Sequence, residues 1–276
     1  MRNEVALVAR QVYYEQLNFW FNPVAAIFTV GFSVLFLILL GSSAGNSHSS
    51  TLGGVKVINY YVPGFVAYGV MSTCFNSLSS SLVTRRESGL LKRLRLSPLP
   101  TWAFLCSVFV SVVIISLVQV VILLVMGRFA YGVGLPANLG ALVVVLIVGT
   151  ASFSAIGVAV STLIPNQEAA GPLVSIVFFV LLFLSGLWFP ISSSSGLGQV
   201  SGWMPVRHML LAVYAPFGVQ AHGGGSPWPW GDMLAMALWG AAGVLVALRR
   251  WSWAPRRTGQ AGRLRGPFGR RASAID

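Results

Sequence analysis

Few side chains in this 276-residue chain could do acid–base, nucleophilic or metal chemistry, and they are scattered. The carboxylates are Glu4, Glu15, Glu87, Glu168, Asp232 and Asp276, all at the ends of apolar runs or outside them. A proton relay needs ionisable groups held at protected depth, where they are costly and functional by default, so a carboxylate relay is not expected. His48, His208 and His222 stand far apart with no cysteine or acid at metal-ligand spacing, a pattern of solvated or hydrogen-bonded histidines rather than a metal site. Cys74 and Cys106 both fall inside apolar runs, where a thiol behaves as a small hydrophobe. No Gly-x-x-x-x-Gly-Lys-Ser/Thr run exists, and the only lysines, Lys56 and Lys92, are not in a Gly-rich loop. No catalytic, cofactor-binding or metal residue is therefore expected in this chain.

The elements that would have to position any chemistry are apolar helices. Hydrophobic residues make up 55% of the chain and charged residues only 9%, with mean hydropathy +0.77. Soluble domains carry roughly 25% charged residues, so the fold class expected is an all-α integral membrane protein. Runs of about 20 apolar residues can cross the hydrocarbon. Six such spans are expected, at about 23–40, 60–84, 101–126, 139–163, 171–187 and 230–248, each bounded by Gly, Pro or charge. Residues 1–22 read as an amphipathic interfacial helix, with Val5, Val8, Ala9, Val12 and Phe19 on one face and Arg10, Tyr14 and Asn18 elsewhere. A cleaved signal peptide is the rival reading of the first apolar run, and the long preceding segment with Glu4 and Glu15 argues against it. Residues 188–229 carry Pro190, Pro205, Pro216, Pro227 and Pro229 with Trp203, Trp228 and Trp230, an interfacial composition for an extracellular segment. Residues 249–276 are rich in Gly, Pro and Arg without apolar periodicity, a basic tail expected to be disordered beside anionic lipid or an acidic partner.

The net charge of +12 is distributed along the spans rather than in one patch, so membrane rather than nucleic acid is the expected partner. Arg2, Arg10, Arg85, Arg86, Lys92, Arg93, Arg95 and the eight arginines from Arg249 to Arg271 fall on one side of a six-span arrangement. Only Lys56, Arg128 and Arg207 fall on the other. The positive-inside rule then puts both termini and the second loop in the cytoplasm of a multi-pass cell-membrane protein.

Inside the spans the polar residues follow helical rows. Gly69, Thr73, Ser77 and Ser81 recur every fourth residue in the second span, with Ser72, Asn76 and Ser80 beside them. Ala151, Ala155 and Ala159, next to Gly157 and Ser161, repeat the device in the fourth. Small faces let helices approach closely in lipid, and packing is the expected role; lining a translocation route, with Thr73, Asn76, Ser77 and Gln119 along it, is the alternative reading. Gln119, alone in the middle of the third span, needs a partner because lipid offers none.

The most informative stretch is Arg85 to Pro100, RRESGLLKRLRLSPLP, between two cytoplasmic helix ends. A charged start, central Gly89, a Leu90-Leu91-Leu94 face and Ser97-Pro98 read as a short amphipathic helix at residues 85–100 exposed to the cytosol. It resembles the loop of ABC-2 type transporter permeases, the membrane subunits of drug-resistance and polysaccharide or glycolipid exporters, which carry a similar RE-x-G-x-L-x-x-L-x-x-(S/T)-P pattern. Asn166 to Pro190, NQEAAGPLVSIVFFVLLFLSGLWFP, is similar to that family's fifth helix, and FWFNPVAAIF is like its first-helix approach. Two departures stand out. Phe21 occupies a position where many members have Arg before Asn-Pro, and the loop near Glu168 lacks a basic residue often present there.

The resemblance implies that residues 85–100 form a coupling helix on an ATP-binding subunit, with Arg86, Glu87, Gly89, Leu90, Leu91, Leu94 and Pro98 as the coupling residues. It implies short re-entrant helices in the outer leaflet after Phe189, a second permease copy or a homologous permease as partner, and a bacterial setting. ATP and Mg would sit on the partner ATPase, none in this chain. The leucines could seat in an ATPase cleft while Arg86, Lys92, Arg93 and Arg95 meet acidic rims or lipid phosphates. A plain cytoplasmic anchor is the alternative reading of the loop. The function implied is export of a hydrophobic or amphipathic drug or lipid-linked molecule. An ATPase-independent secondary transporter or channel, or a membrane-embedded enzyme, would call for charged or metal-binding residues inside the spans.

Overall fold

The computed structural model describes residues 2–44, 47, 56–91, 101–188, 191, 195–219 and 228–251. Among them the chain is helical and contains no β-strand. The elements run α1 (Arg2–Trp20), α2 (Pro23–Ala26), a π turn (Ile27–Gly31), α3 (Phe32–Ala44), α4 (Val57–Met71), a second π turn (Ser72–Ser77) and α5 (Leu78–Glu87). They continue with α6 (Thr101–Tyr131), α7 (Leu139–Ser161), α8 (Gln167–Ser185), α9 (Gly196–Ser201), α10 (Pro205–Tyr214), a 3-10 turn (Ala215–Phe217) and α11 (Trp230–Arg250). Four helices, α6, α7, α8 and α11, are each long and apolar enough to cross a membrane. The other two expected spans are helical without a break over 23–44 and 57–87, but each contains a π turn.

Local chemistry sets the ends. The side chain of Asn138 caps α7 by accepting from the Ala141 amide at 2.9 Å, and Asn166 caps α8 by accepting from Ala169 at 2.8 Å. That second cap starts α8 four residues before the expected 171, with Pro172 accommodated inside it. Gly186 closes α8 in the left-handed conformation, φ +90°, which a side chain would disfavour.

Small residues bring the helices together. α11 lies along α7, where a Cβ on Gly240 would fall 2.9 Å from the Ser152 backbone and one on Gly243 equally close to Ala155 and Ile156. On the same α7, Gly157 sits so near the second π turn that a Cβ would lie 2.7 Å from the Cys74 carbonyl oxygen. Ser79 Oγ donates to the Gly157 carbonyl at 2.9 Å across that crossing. Ala155 and Ala159 therefore pack as expected of the small face, whereas Ala151 is turned outward.

The amphipathic α10 buries Val206, Met209, Leu210 and Val213 against α4, α7, α8 and α11. Beside its end, Tyr60 Oη donates to the Gly186 carbonyl at 2.5 Å and the Tyr60 and Tyr214 rings lie 4.8 Å apart. The helices α9 and α10 thus plug the end of the bundle where α4 begins and α8 stops.

Candidate functional site

At the opposite end of the bundle, α5 and the residues after it hold the expected coupling residues. Arg85, Arg86 and Glu87 are not in a separate loop helix. They form the last turn of α5, and the break comes at Ser88–Gly89, where Gly89 has φ +75° and a Cβ would meet nothing within 4 Å. Helical geometry resumes at Leu90 and Leu91. The positive φ explains why glycine stands here: a side chain in that conformation costs about 1–2 kcal/mol. Leu94 and Pro98 lie outside the described residues.

Two of the residues expected to face a partner turn inward instead. Arg86 is only 4% exposed. Its guanidinium donates from Nη1 to the Ser161 carbonyl at 3.1 Å, from Nη2 to the Ile164 carbonyl at 2.6 Å and from Nε to Glu87 at 2.8 Å. A cation at the carbonyl-rich end of α7 is favoured by the helix dipole and satisfies carbonyls with no helical partner. Leu91 is 1% exposed and shares a small cleft with Leu82, Arg86, Ser161, Thr162 and Trp251. Leu90, 42% exposed, is the leucine turned outward. The expected leucine face is therefore divided: Leu90 and Leu91 are consecutive in helical geometry and point about 100° apart, so one faces out and the other in.

Arg85 makes a long-range contact with no local signal in the sequence. Its Nη1 and Nη2 donate to Glu15 Oε1 and Oε2 at 2.6 and 2.5 Å, a fork-to-fork pair that is mostly buried. Glu15 belongs to α1, so this pair ties the first helix to the end of α5. The next residue of α1, Gln16, donates from Nε2 to Ser111 Oγ and the Ser111 carbonyl of α6 at 2.8 and 2.9 Å.

The candidate translocation residues meet deeper in the bundle. Gln119 is fully buried. Its Oε1 accepts from Thr73 Oγ1 at 2.9 Å, while its Nε2 donates to the Thr29 carbonyl at 3.0 Å and to Ser33 Oγ at 2.8 Å. Thr29 and Thr73 each lie in one of the two π turns, so α6 bonds to both irregular segments through one amide. Gly69 leaves room for this: a Cβ there would lie 2.7 Å from Gln119 Nε2. Asn76 and Ser77 are half-buried on the π turn of Thr73 and do not join the cluster, and Asn76 Oδ1 is buried with no hydrogen-bond partner among the described residues.

The remaining polar chemistry sits by α9 and α10. His208 Nδ1 lies 2.7 Å from Asp232 Oδ1 and its Nε2 lies 2.9 Å from the Gly202 carbonyl. Both ring nitrogens face acceptors, an arrangement the doubly protonated ring satisfies. The bond to Asp232 raises the His208 pKa above its ordinary value, opposed by partial burial and by Arg207. Among the described residues no three His, Cys, Asp or Glu side chains group as metal ligands, and His48 and His222 lie outside the described residues.

The family described as "ABC-2 family transporter protein" matches residues 46–249. The chain is 27% identical over 150 residues, 54% of its length, to "Probable multidrug ABC transporter permease YbhR" of Escherichia coli strain K12 and to its counterpart in strain O157:H7, of which the match covers 41%. It is 24% identical over 180 residues, 64% of its length, to "Putative transport permease YvfS" of Bacillus subtilis strain 168, of which the match covers 70%. The chain thus spans less than half the length of the first of these relatives. The apolar helices and a family match over most of the sequence place this chain in the ABC-2 transporter family, as a membrane-embedded transport permease.

Proposed function

We propose that this permease is the membrane subunit of an ATP-driven exporter, in which an ATP-binding subunit docks on the segment that follows Gly89. The observation that carries the reading is the construction of the turn. A soft glycine joint presents Leu90 outward, while Arg85 and Arg86 anchor the residues before it to α1 and α7. A load applied beyond Gly89 therefore reaches three helices at once. ATP hydrolysis belongs to the partner, consistent with the lack of a phosphate-binding loop in this sequence.

In this reading the continuous helical runs 23–44 and 57–87 are the first two of six spans. The basic side, with both termini and the turn at Gly89, faces the cytoplasm of a bacterial cell membrane. Two permeases, identical or homologous, pair around the route, and the cargo is a hydrophobic or amphipathic molecule, in keeping with the multidrug name of a relative. Purification of the tagged chain from its own membranes in mild detergent tests this. An ATP-binding subunit with vanadate-sensitive hydrolysis is expected to co-purify, and a permease that moves cargo without one would overturn the reading.

A further inference from the structure

The last turn of α5 is gripped from two sides by adjacent arginines. Arg86 holds the carbonyl end of α7, and Arg85 holds Glu15 of α1. Consecutive helical residues point about 100° apart, so the two grips oppose rotation of α5 about its own axis. Beyond them the backbone turns at Gly89, where φ is +75° and a Cβ would meet no described residue within 4 Å. α1 in turn bonds to the middle of α6 through Gln16 and Ser111.

Building on the coupling reading above, we propose that Arg85 is a positioning residue that makes α1 and the end of α5 move as one body, so that α1 delivers part of the ATPase stroke to α6. The pair suits this role. Both groups are largely desolvated and the contact is bidentate, which fixes direction as well as distance. Removing one partner strands a buried charge, which by itself would only weaken the fold. A movement readout with charge reversal is needed to separate that outcome from coupling.

The experiment uses the complex with its co-purified ATP-binding subunit, in a Cys106→Ser background because Cys106 is exposed. Spin labels are placed at Tyr13, 61% exposed on α1, and at exposed Ser88, with a second pair at Ser88 and Leu135 as reference. In the wild type, trapping with ATP and vanadate is expected to shift the reference distance and leave the Tyr13–Ser88 distance unchanged. Arg85→Gln is expected to make the Tyr13–Ser88 distance broaden and change on trapping, with vanadate-sensitive turnover altered by about threefold or more. Glu15→Arg combined with Arg85→Glu restores the wild-type pattern, and Arg85→Lys, which keeps the charge without the fork, restores it in part. An Arg85→Gln complex that assembles and moves like wild type overturns this inference alone, as does a reversal that assembles without restoring the pattern. A wild-type chain that captures no ATP-binding subunit overturns the coupling reading and this inference with it.

Discussion

Gln119 Oε1 accepts a 2.9 Å hydrogen bond from Thr73 Oγ1, and both side chains are buried to within 1% of complete exclusion. This contact and the bond from Gln119 to the Thr29 carbonyl join α6 to two π turns. Replacing Gln119 with Leu removes the acceptor of Thr73 and the donor to the Thr29 carbonyl, while Ser33 keeps its bond to the Val30 carbonyl, and the loss expected is about 1–3 kcal/mol. Thermal unfolding of the detergent-solubilised permease measures it. An unchanged midpoint would show that the amide contributes nothing to holding the π turns.

Gly157 lies tightly against the second π turn, where a Cβ would fall 2.7 Å from the Cys74 carbonyl oxygen. Gly157→Ala pushes a methyl onto a backbone oxygen and should cost about 1–3 kcal/mol. The control is Gly171→Ala in α8, where a Cβ meets nothing within 4 Å and the substitution should be neutral or slightly stabilising. Equal behaviour of the two variants in the same melting experiment would contradict the crossing described.

Leu90 and Leu91 should separate by phenotype. Leu91→Ala removes a buried side chain and is expected to lower stability by about 2–5 kcal/mol. Leu90→Asp lies on the surface and should leave the melting temperature unchanged while reducing recovery of the ATP-binding subunit. Gly89→Ala is expected to strain the turn and lower ATP turnover with insertion intact, which protein level and turnover of the purified complex together report.

His208 gives a pH dependence with a definite sign. Its pKa is raised in the folded protein by Asp232, so the pair's stabilisation is fully present below the ordinary imidazole value of about 6.5. It is lost as pH rises through the raised folded value. Unfolding temperature followed from acid to mildly alkaline pH should therefore fall more for wild type than for His208→Gln. Parallel curves would remove the pair from the account.

The apolar helices were legible because uncharged runs end at Gly, Pro or charge, and the ends of α7 and α11 fall within two residues of expectation. Gln119 was legible for a related reason: a lone amide in an apolar span must find a partner. The π turns were not, since each depends on neighbours from other helices rather than on its own residues. Nor was the Arg85–Glu15 pair, which joins positions 70 residues apart in the chain with no periodic signal between them. The burial of Arg86 and Leu91 was not legible, because it depends on the end of α7 and on Trp251, which lie far away in the chain and leave no mark in the amphipathic pattern of 85–100.

Docking of an ATP-binding subunit on the turn is the central claim, and a photo-crosslinking residue placed at Leu90 in native membranes tests it most directly. Leu135, exposed between α6 and α7 at the other end of the bundle, serves as the reference position. Irradiation is expected to join the permease to an ATP-binding protein from position 90 and not from position 135. Absence of that adduct from position 90, or equal capture from both positions, would contradict the account.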